Sequence, residues 1–221
     1  MLAKLISDEL SADLEWREAE LAILRKQIYG STPGSISEAS LLRAGVAMVY
    51  AHYEGFCKFS LEIYLDYLEK LKLTRREVIW PLAALSMNNF KSNIISSSDS
   101  KTFFSSFLLD INNELNKVAI YERPPQIANL WPDLLINWLG RLGLGATTAI
   151  FNKTLLESLV DKRNHIAHGK KLTVKTRAEF DQYAKAAGLA MHEIAVEIVS
   201  ALHSKSYKCA PGQQTVVNHA V

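Results

Sequence analysis

The stretch Leu42-Arg43-Ala44-Gly45-Val46-Ala47-Met48-Val49-Tyr50-Ala51-His52-Tyr53-Glu54-Gly55-Phe56 reads as the middle of a long helix. Leu42, Val46, Val49, Tyr53 and Phe56 recur at steps of three and four, and the stripe continues through Ile63 and Tyr67. Such steps keep side chains on one face of a helix, whereas a half-buried strand would alternate at every second position. Upstream, Ser35 and Glu38 stand three apart just ahead of the apolar run. In that pairing the two side chains satisfy the first free backbone N–H groups of a helix. The spacing predicts a helix from there to about Lys72.

The same period recurs on both sides. Leu10, Leu14, Leu21, Leu24 and Ile28 make an amphipathic first helix that stops at Gly30-Ser31-Thr32-Pro33-Gly34. A shorter helix is predicted over Thr74–Leu85, redirected at Pro81. The Asn- and Ser-rich run Asn88–Ser100 reads as an exposed loop. Asp99 or Ser100 can cap the next helix, with stripe Phe104, Phe107, Leu108, Ile111, Leu115 and Val118 and a stop at Arg123-Pro124-Pro125. Pro132 and Asp133 suit the first turn of a short helix carrying Leu135, Trp138 and Leu139 that ends at Gly143. A helix from Lys153 to His168 is closed by Gly169. The last runs from about Thr176 to His203, with Phe180, Tyr183, Ala187, Met191, Ile194, Ile198 and Leu202 on one face. No stretch alternates at period two. The expectation is an all-α fold: one bundle of long antiparallel helices over residues 1–203, with 204–221 a disordered polar tail.

At 221 residues the chain is long enough to bury a core of its own. Its 25 Lys and Arg against 23 Asp and Glu leave a net charge of +2, so nucleic acid, if bound, must meet a local patch and not a global field. Cys57 and Cys209 lie far apart and read as two free thiols in a reducing compartment. The N-terminus lacks the apolar core of a signal peptide, and no apolar run reaches the ~18 residues a membrane span needs. A cytoplasmic protein without membrane contact is expected.

Chemistry concentrates in Leu159-Val160-Asp161-Lys162-Arg163-Asn164-His165-Ile166-Ala167-His168-Gly169. At about 100° per residue, Leu155, Leu159 and Ile166 share the core face, and Arg163, Asn164 and His168 spread over the opposite one. An arginine can hold two phosphate oxygens at once, and an imidazole can accept or donate a proton near neutral pH. Lys162, Arg163, Lys170, Lys171, Lys175 and Arg177 crowd this segment with no Asp or Glu among residues 162–177, making a local basic patch.

These residues carry a resemblance. Arg163-Asn164-x-x-x-His168 resembles the R-x4-H motif of the HEPN superfamily, and the longer string Val160–Gly169 resembles its MAE-type family, close to the RiboL-PSP-like group. The Tyr50-Ala51-His52-Tyr53-Glu54-Gly55-Phe56 string resembles the long early helix of that family, and Trp131–Gly143 the short helix before the motif. The resemblance spans roughly residues 40–200. It implies a helical bundle that forms a homodimer, with the two motif helices facing across a cleft, and a metal-independent endoribonuclease that needs no cofactor. Its class is that of toxin or antiphage-defence nucleases, with an antitoxin or defence-system protein as partner. In that reading the ribose 2′-hydroxyl attacks the adjacent phosphate. His168 is general base or acid, Arg163 holds the scissile phosphate, and Asn164 orients His168 or the phosphate. Lys162, Lys170, Lys171, Lys175 and Arg177 would contact RNA. Some relatives carry a tyrosine two residues beyond the motif histidine, where a partner modifies it; here that position is Lys170.

Other readings attach to the remaining polar residues. His52 and Glu54 either back the cleft or form hydrogen bonds that fix two helices together. His165, four residues after Asp161, suits a surface ion pair. A metal site built from His165, His168 and Glu157 or Glu54 lacks paired Glu-x-x-His motifs and would set a cation beside Arg163, so none is expected. The main rival to an enzyme is a non-catalytic HEPN module that uses the same helices for dimerisation, RNA binding or assembly with a partner protein.

Overall fold

The computed structural model describes residues 2–88, 90, 92, 99–124, 129–170 and 174–209. Helix makes up 76% of them, with no strand, as the periodicity predicts. The described helices are α1 (Leu2–Gly30), α2 (Ile36–Lys70), α3 (Trp80–Leu85), α4 (Ser100–Leu115), α5 (Pro132–Leu142), α6 (Thr147–Phe151), α7 (Lys153–Ala167) and α8 (Arg177–Ser204).

Helix α2 is the axis of the molecule, with α1, α7 and α8 packed around it. Its stripe is the core: Val46, Val49, Tyr53, Phe56 and Leu65 are fully buried. The Ser35 hydroxyl accepts from the Glu38 N–H, the cap expected from the spacing, and Gly34 takes the left-handed conformation at φ +74° that lets the chain reverse after α1. Close approach at the centre depends on Gly45. A Cβ built there would lie 2.8 Å from the Phe180 ring of α8 and 3.0 Å from Ile28 of α1.

Helix α8 closes the bundle and caps its neighbours. Thr176 caps α8 itself by accepting from the Glu179 N–H. Arg177 reaches Glu38 at 2.6 Å and the carbonyl oxygen of Ser31 at 2.9 Å, tying the α1–α2 turn to the start of α8. Glu193 accepts from the Thr148 and Ala149 N–H groups, so a neighbouring helix satisfies the first donors of α6.

Several boundaries differ from expectation. Thr74–Ile79 is not helical. Its backbone pairs instead with residues 115–119 and 207–209, through Arg76 N–H to the Leu115 carbonyl and Ile79 N–H to the Tyr207 carbonyl. Helix α3 therefore begins at Trp80, with Pro81 in its first turn, where proline is tolerated. Helix α4 ends at Leu115, before Arg123-Pro124-Pro125, because the chain turns there to pair with Thr74 and Arg75. Of its expected stripe Leu115 is buried, but Phe104, Phe107 and Val118 are exposed; the Leu108 side chain and most of the expected loop Asn88–Ser100 lie outside the described residues. The short helix α6 carries no periodic signal of its own. The chain also stays folded beyond residue 203. Tyr207 is buried beside Tyr67, and the Cys209 N–H donates to the Glu77 carbonyl. The expected disordered tail is thus corrected up to Cys209; residues 210–221 lie outside the described set.

Candidate active site

The motif helix α7 buries Leu156, Leu159 and Val160; of the core face expected on it, Leu155 and Ile166 are only partly buried. Arg163, one turn after Leu159, lies on the packed side and not opposite it, turned toward α2 and the segment before α5. Arg163 does not extend from an open face. Its guanidinium carbon lies 4.6 Å above the centre of the Tyr50 ring, and the side chain is half-buried. Nη1 donates to the Asn129 Oδ1 at 2.9 Å and to the Asn164 Oδ1 at 3.1 Å. Asn164 therefore holds the arginine next to it and not His168. Among the described residues Arg163 makes no ion pair, whereas Arg17, Arg25, Arg75, Arg123, Arg141 and Arg177 each pair with a carboxylate.

Tyr50 organises this corner. Its hydroxyl accepts from the Leu130 N–H at 2.8 Å, which latches the segment before α5 onto α2. Burial pushes the phenol up to about 12, helped by the Glu54 carboxylate one turn away and opposed by the Leu130 N–H and Arg163. Tyr50 is thus a neutral phenol whose ring face is turned to a cation. Glu54 pairs with Lys58 at 2.9 Å.

His168 is the last residue of α7's frame, and the local backbone dictates its place. The Lys170 N–H donates to the His165 carbonyl, and the Gly169 N–H to the Ile166 carbonyl, with Gly169 left-handed at φ +73°. This double closure needs glycine after His168 and leaves the imidazole exposed at the helix end. Arg43 of α2 donates to the Lys170 carbonyl at 2.6 Å and so ties the end of the motif segment to α2. Arg43 and Tyr50 are seven residues apart, two turns along one face of α2.

The other expected residues separate. His52, on the opposite face of α2 from Tyr50, is buried against α1. Its Nδ1 is 3.4 Å from Arg17 Nη1 and its ring meets Trp16 edge-on. Glu20 Oε2 sits 2.9 Å from Nε2 but off the line of a well-formed hydrogen bond. Burial pushes His52 below the usual histidine range, against the pull of Glu20. A Cβ at Gly55 would come within 2.9 Å of Arg17 Nη1, so the glycine of the Tyr50–Phe56 string makes room for α1. The string thus serves two neighbours: Tyr50 faces α7, while His52 and Gly55 face α1. His165 lies 3.4 Å from Asp161, as its spacing suggests. Lys162 is turned to Glu179 at 3.4 Å, and Arg177 is held by Glu38 and the α1–α2 turn. Lys170 and Lys175 are exposed, and Lys171 lies outside the described residues. Cys57 and Cys209 are free thiols. Among the described residues no three His, Cys, Asp or Glu side chains gather closely enough to hold a metal ion, and no helix is long and apolar enough to cross a membrane.

Sequence reasoning missed Arg43 and Asn129 as neighbours of the motif and did not single out Tyr50. Tyr50 could have been found, because it opens the string on α2. Asn129 carries no local signal: it is 34 residues from Arg163 and meets it only through the fold.

The model of the HEPN_MAE_28990-like HEPN family matches residues 6–207. Comparison with curated proteins and with solved structures gave no match.

Proposed function

This chain belongs to the HEPN_MAE_28990-like HEPN family, and from that premise we propose that it is a metal-independent endoribonuclease of the toxin or antiphage-defence kind, acting as a homodimer. The observation that carries the reading is the state of Arg163: a half-buried guanidinium held by two amide oxygens and an aromatic face, with no carboxylate paired to it among the described residues. A cation kept in place by neutral groups retains its charge for an anionic ligand. An exposed imidazole stands five residues on, at the end of the same helix.

In the proposed reaction one imidazole takes the proton from a ribose 2′-hydroxyl. The oxygen attacks the adjacent phosphorus, the bond to the 5′-oxygen breaks, and a second imidazole gives that oxygen a proton. The products are a 2′,3′-cyclic phosphate and a 5′-hydroxyl. Arg163 holds the non-bridging oxygens as charge gathers on them. Each chain has one His168, so the two proton transfers call for His168 of the partner subunit, which is the reason for the dimer. Lys170 and Lys175, both exposed, and Lys171 supply local positive charge for the RNA backbone.

The test is incubation of the purified chain with RNA in EDTA. Cleavage with cyclic phosphate ends is expected, none on DNA or on RNA with blocked 2′-hydroxyls, and light scattering should give a dimer mass. His168→Ala and Arg163→Lys should each lower the rate by roughly 10²–10⁴-fold with the helical content unchanged. Cleavage that needs a divalent metal, or proceeds equally on DNA, overturns the reading. Arg163-dependent RNA binding without cleavage assigns the non-catalytic module instead.

A further inference from the structure

We propose that Asn129 is a positioning residue for Arg163, fixing the guanidinium so that one particular edge faces the RNA phosphate; the inference rests on the ribonuclease reading above.

Asn129 stands outside the motif helix, in the segment that leads into α5. Two contacts set its place. The Leu130 N–H donates to the Tyr50 hydroxyl at 2.8 Å, and the Trp131 N–H donates to the Asn129 carbonyl at 3.2 Å. The segment is therefore anchored on α2, and the Asn129 amide is carried to α7 from there. Arginine has only donors, so the group Asn129 turns to it must be the carbonyl oxygen, and the amide orientation follows without choice.

Nη1 carries two hydrogens. The Asn129 and Asn164 oxygens take one each, at 2.9 and 3.1 Å. Tyr50 covers one face of the plane at 4.6 Å. Among the described residues Nη2 and Nε have no hydrogen-bond partner, and the edge they share is one that can hold two oxygens of a phosphate side by side. One nitrogen and one face are thus engaged, while a two-donor edge is open. Asn164 alone would not achieve this. It is the next residue on the same helix and moves with Arg163, whereas Asn129 ties the guanidinium to a different element. The neutrality of Asn129 matters as much as its reach. An aspartate of nearly the same shape would also hold the arginine, but it would cancel the charge that the phosphate needs.

The experiment compares Asn129→Asp and Asn129→Ala with the wild-type chain, alone and combined with Arg163→Ala. Two readouts are used: cleavage of an RNA oligonucleotide, and affinity for the same sequence with 2′-O-methyl riboses across a range of salt. Asn129→Asp should weaken binding on the order of tenfold or more and lower the salt slope by about the 0.7 that one phosphate contact on a single strand contributes, with an unchanged or higher melting temperature. Asn129→Ala should lower kcat on the order of tenfold to a hundredfold with a smaller change in KM, as expected when a clamp is misplaced and not removed. Neither variant should lower cleavage or binding further in the Arg163→Ala background. Wild-type cleavage and binding in both Asn129 variants, or equal losses with and without Arg163, overturn the proposal. If Arg163→Ala itself changes neither cleavage nor binding, the ribonuclease reading fails first and the positioning role falls with it; if only the Asn129 variants are silent, the ribonuclease reading stands alone.

Discussion

The Arg163 guanidinium rests 4.6 Å above the Tyr50 ring, and the hydroxyl of the same tyrosine holds the Leu130 N–H at 2.8 Å. One buried side chain on α2 thus joins the motif helix to the segment before α5. Tyr50→Phe separates its two roles. The ring face remains and Arg163 stays stacked, but the buried Leu130 N–H loses its acceptor. A loss of about 1–3 kcal/mol is expected, seen as a lower midpoint in denaturant unfolding with an unchanged slope.

The basic residues after the motif divide into anchored and available ones. Arg177→Ala should lower the melting temperature and leave RNA affinity nearly unchanged, because its guanidinium is engaged by Glu38 and by the Ser31 carbonyl. Lys170→Ala and Lys175→Ala should do the reverse, with near wild-type stability and weaker RNA binding at low salt. Melting curves and a binding isotherm on the same preparations decide it. An Arg177→Ala chain with normal stability and lost affinity would reverse the assignment.

Two glycines should respond in opposite directions. At Gly45 a Cβ meets the Phe180 ring at 2.8 Å, so Gly45→Ala should destabilise by about 1–3 kcal/mol despite the better helix former. At Gly188, within α8, nothing lies within 4 Å of a built Cβ, and Gly188→Ala should stabilise by roughly 0.5–1 kcal/mol. Thermal unfolding of the two variants checks both signs.

His52 should make the fold sensitive to acid. Burial holds it below the usual histidine range, so the unfolded chain takes up the proton first as the pH falls below about 6.5. Protonation then favours the unfolded state, and stability is lost as the pH drops toward the folded value; above about pH 7 the group adds no dependence. Arg17 faces the ring and opposes its charge, while Glu20 and Asp13 favour it, and the net direction is set by burial. Melting temperatures from pH 7.5 to 5.5 should fall for the wild-type chain and fall less steeply for His52→Gln. Equal slopes would show that His52 is not the cause.

Much of this molecule was legible from local pattern. The stripe Leu42 to Tyr67 became α2, Ser35 became its cap, and Gly169 closed α7 so that His168 ends it. These features depend on residues within a turn or two of one another, where helical period and backbone donors leave few alternatives. The buried face of α7 was only partly readable: of the expected Leu155, Leu159 and Ile166 only Leu159 is fully buried, because packing against the neighbouring helices shifts burial onto Leu156 and Val160.

What lies on the far side of each polar residue was not readable, because it depends on which helices become neighbours. His52 and Tyr50 are two residues apart, and only packing sends one to Arg17 of α1 and the other to Arg163 of α7. Arg163 and Arg177 look alike in a basic run. The fold gives one a pair of amides and an aromatic face, and the other a carboxylate. Period and caps therefore determined the helices and the order of the motif, since both arise from contacts along a single segment. The tertiary structure alone decided which of the two arginines is paired with a carboxylate, because Glu38, Asn129 and Tyr50 lie more than thirty residues from the arginines they hold.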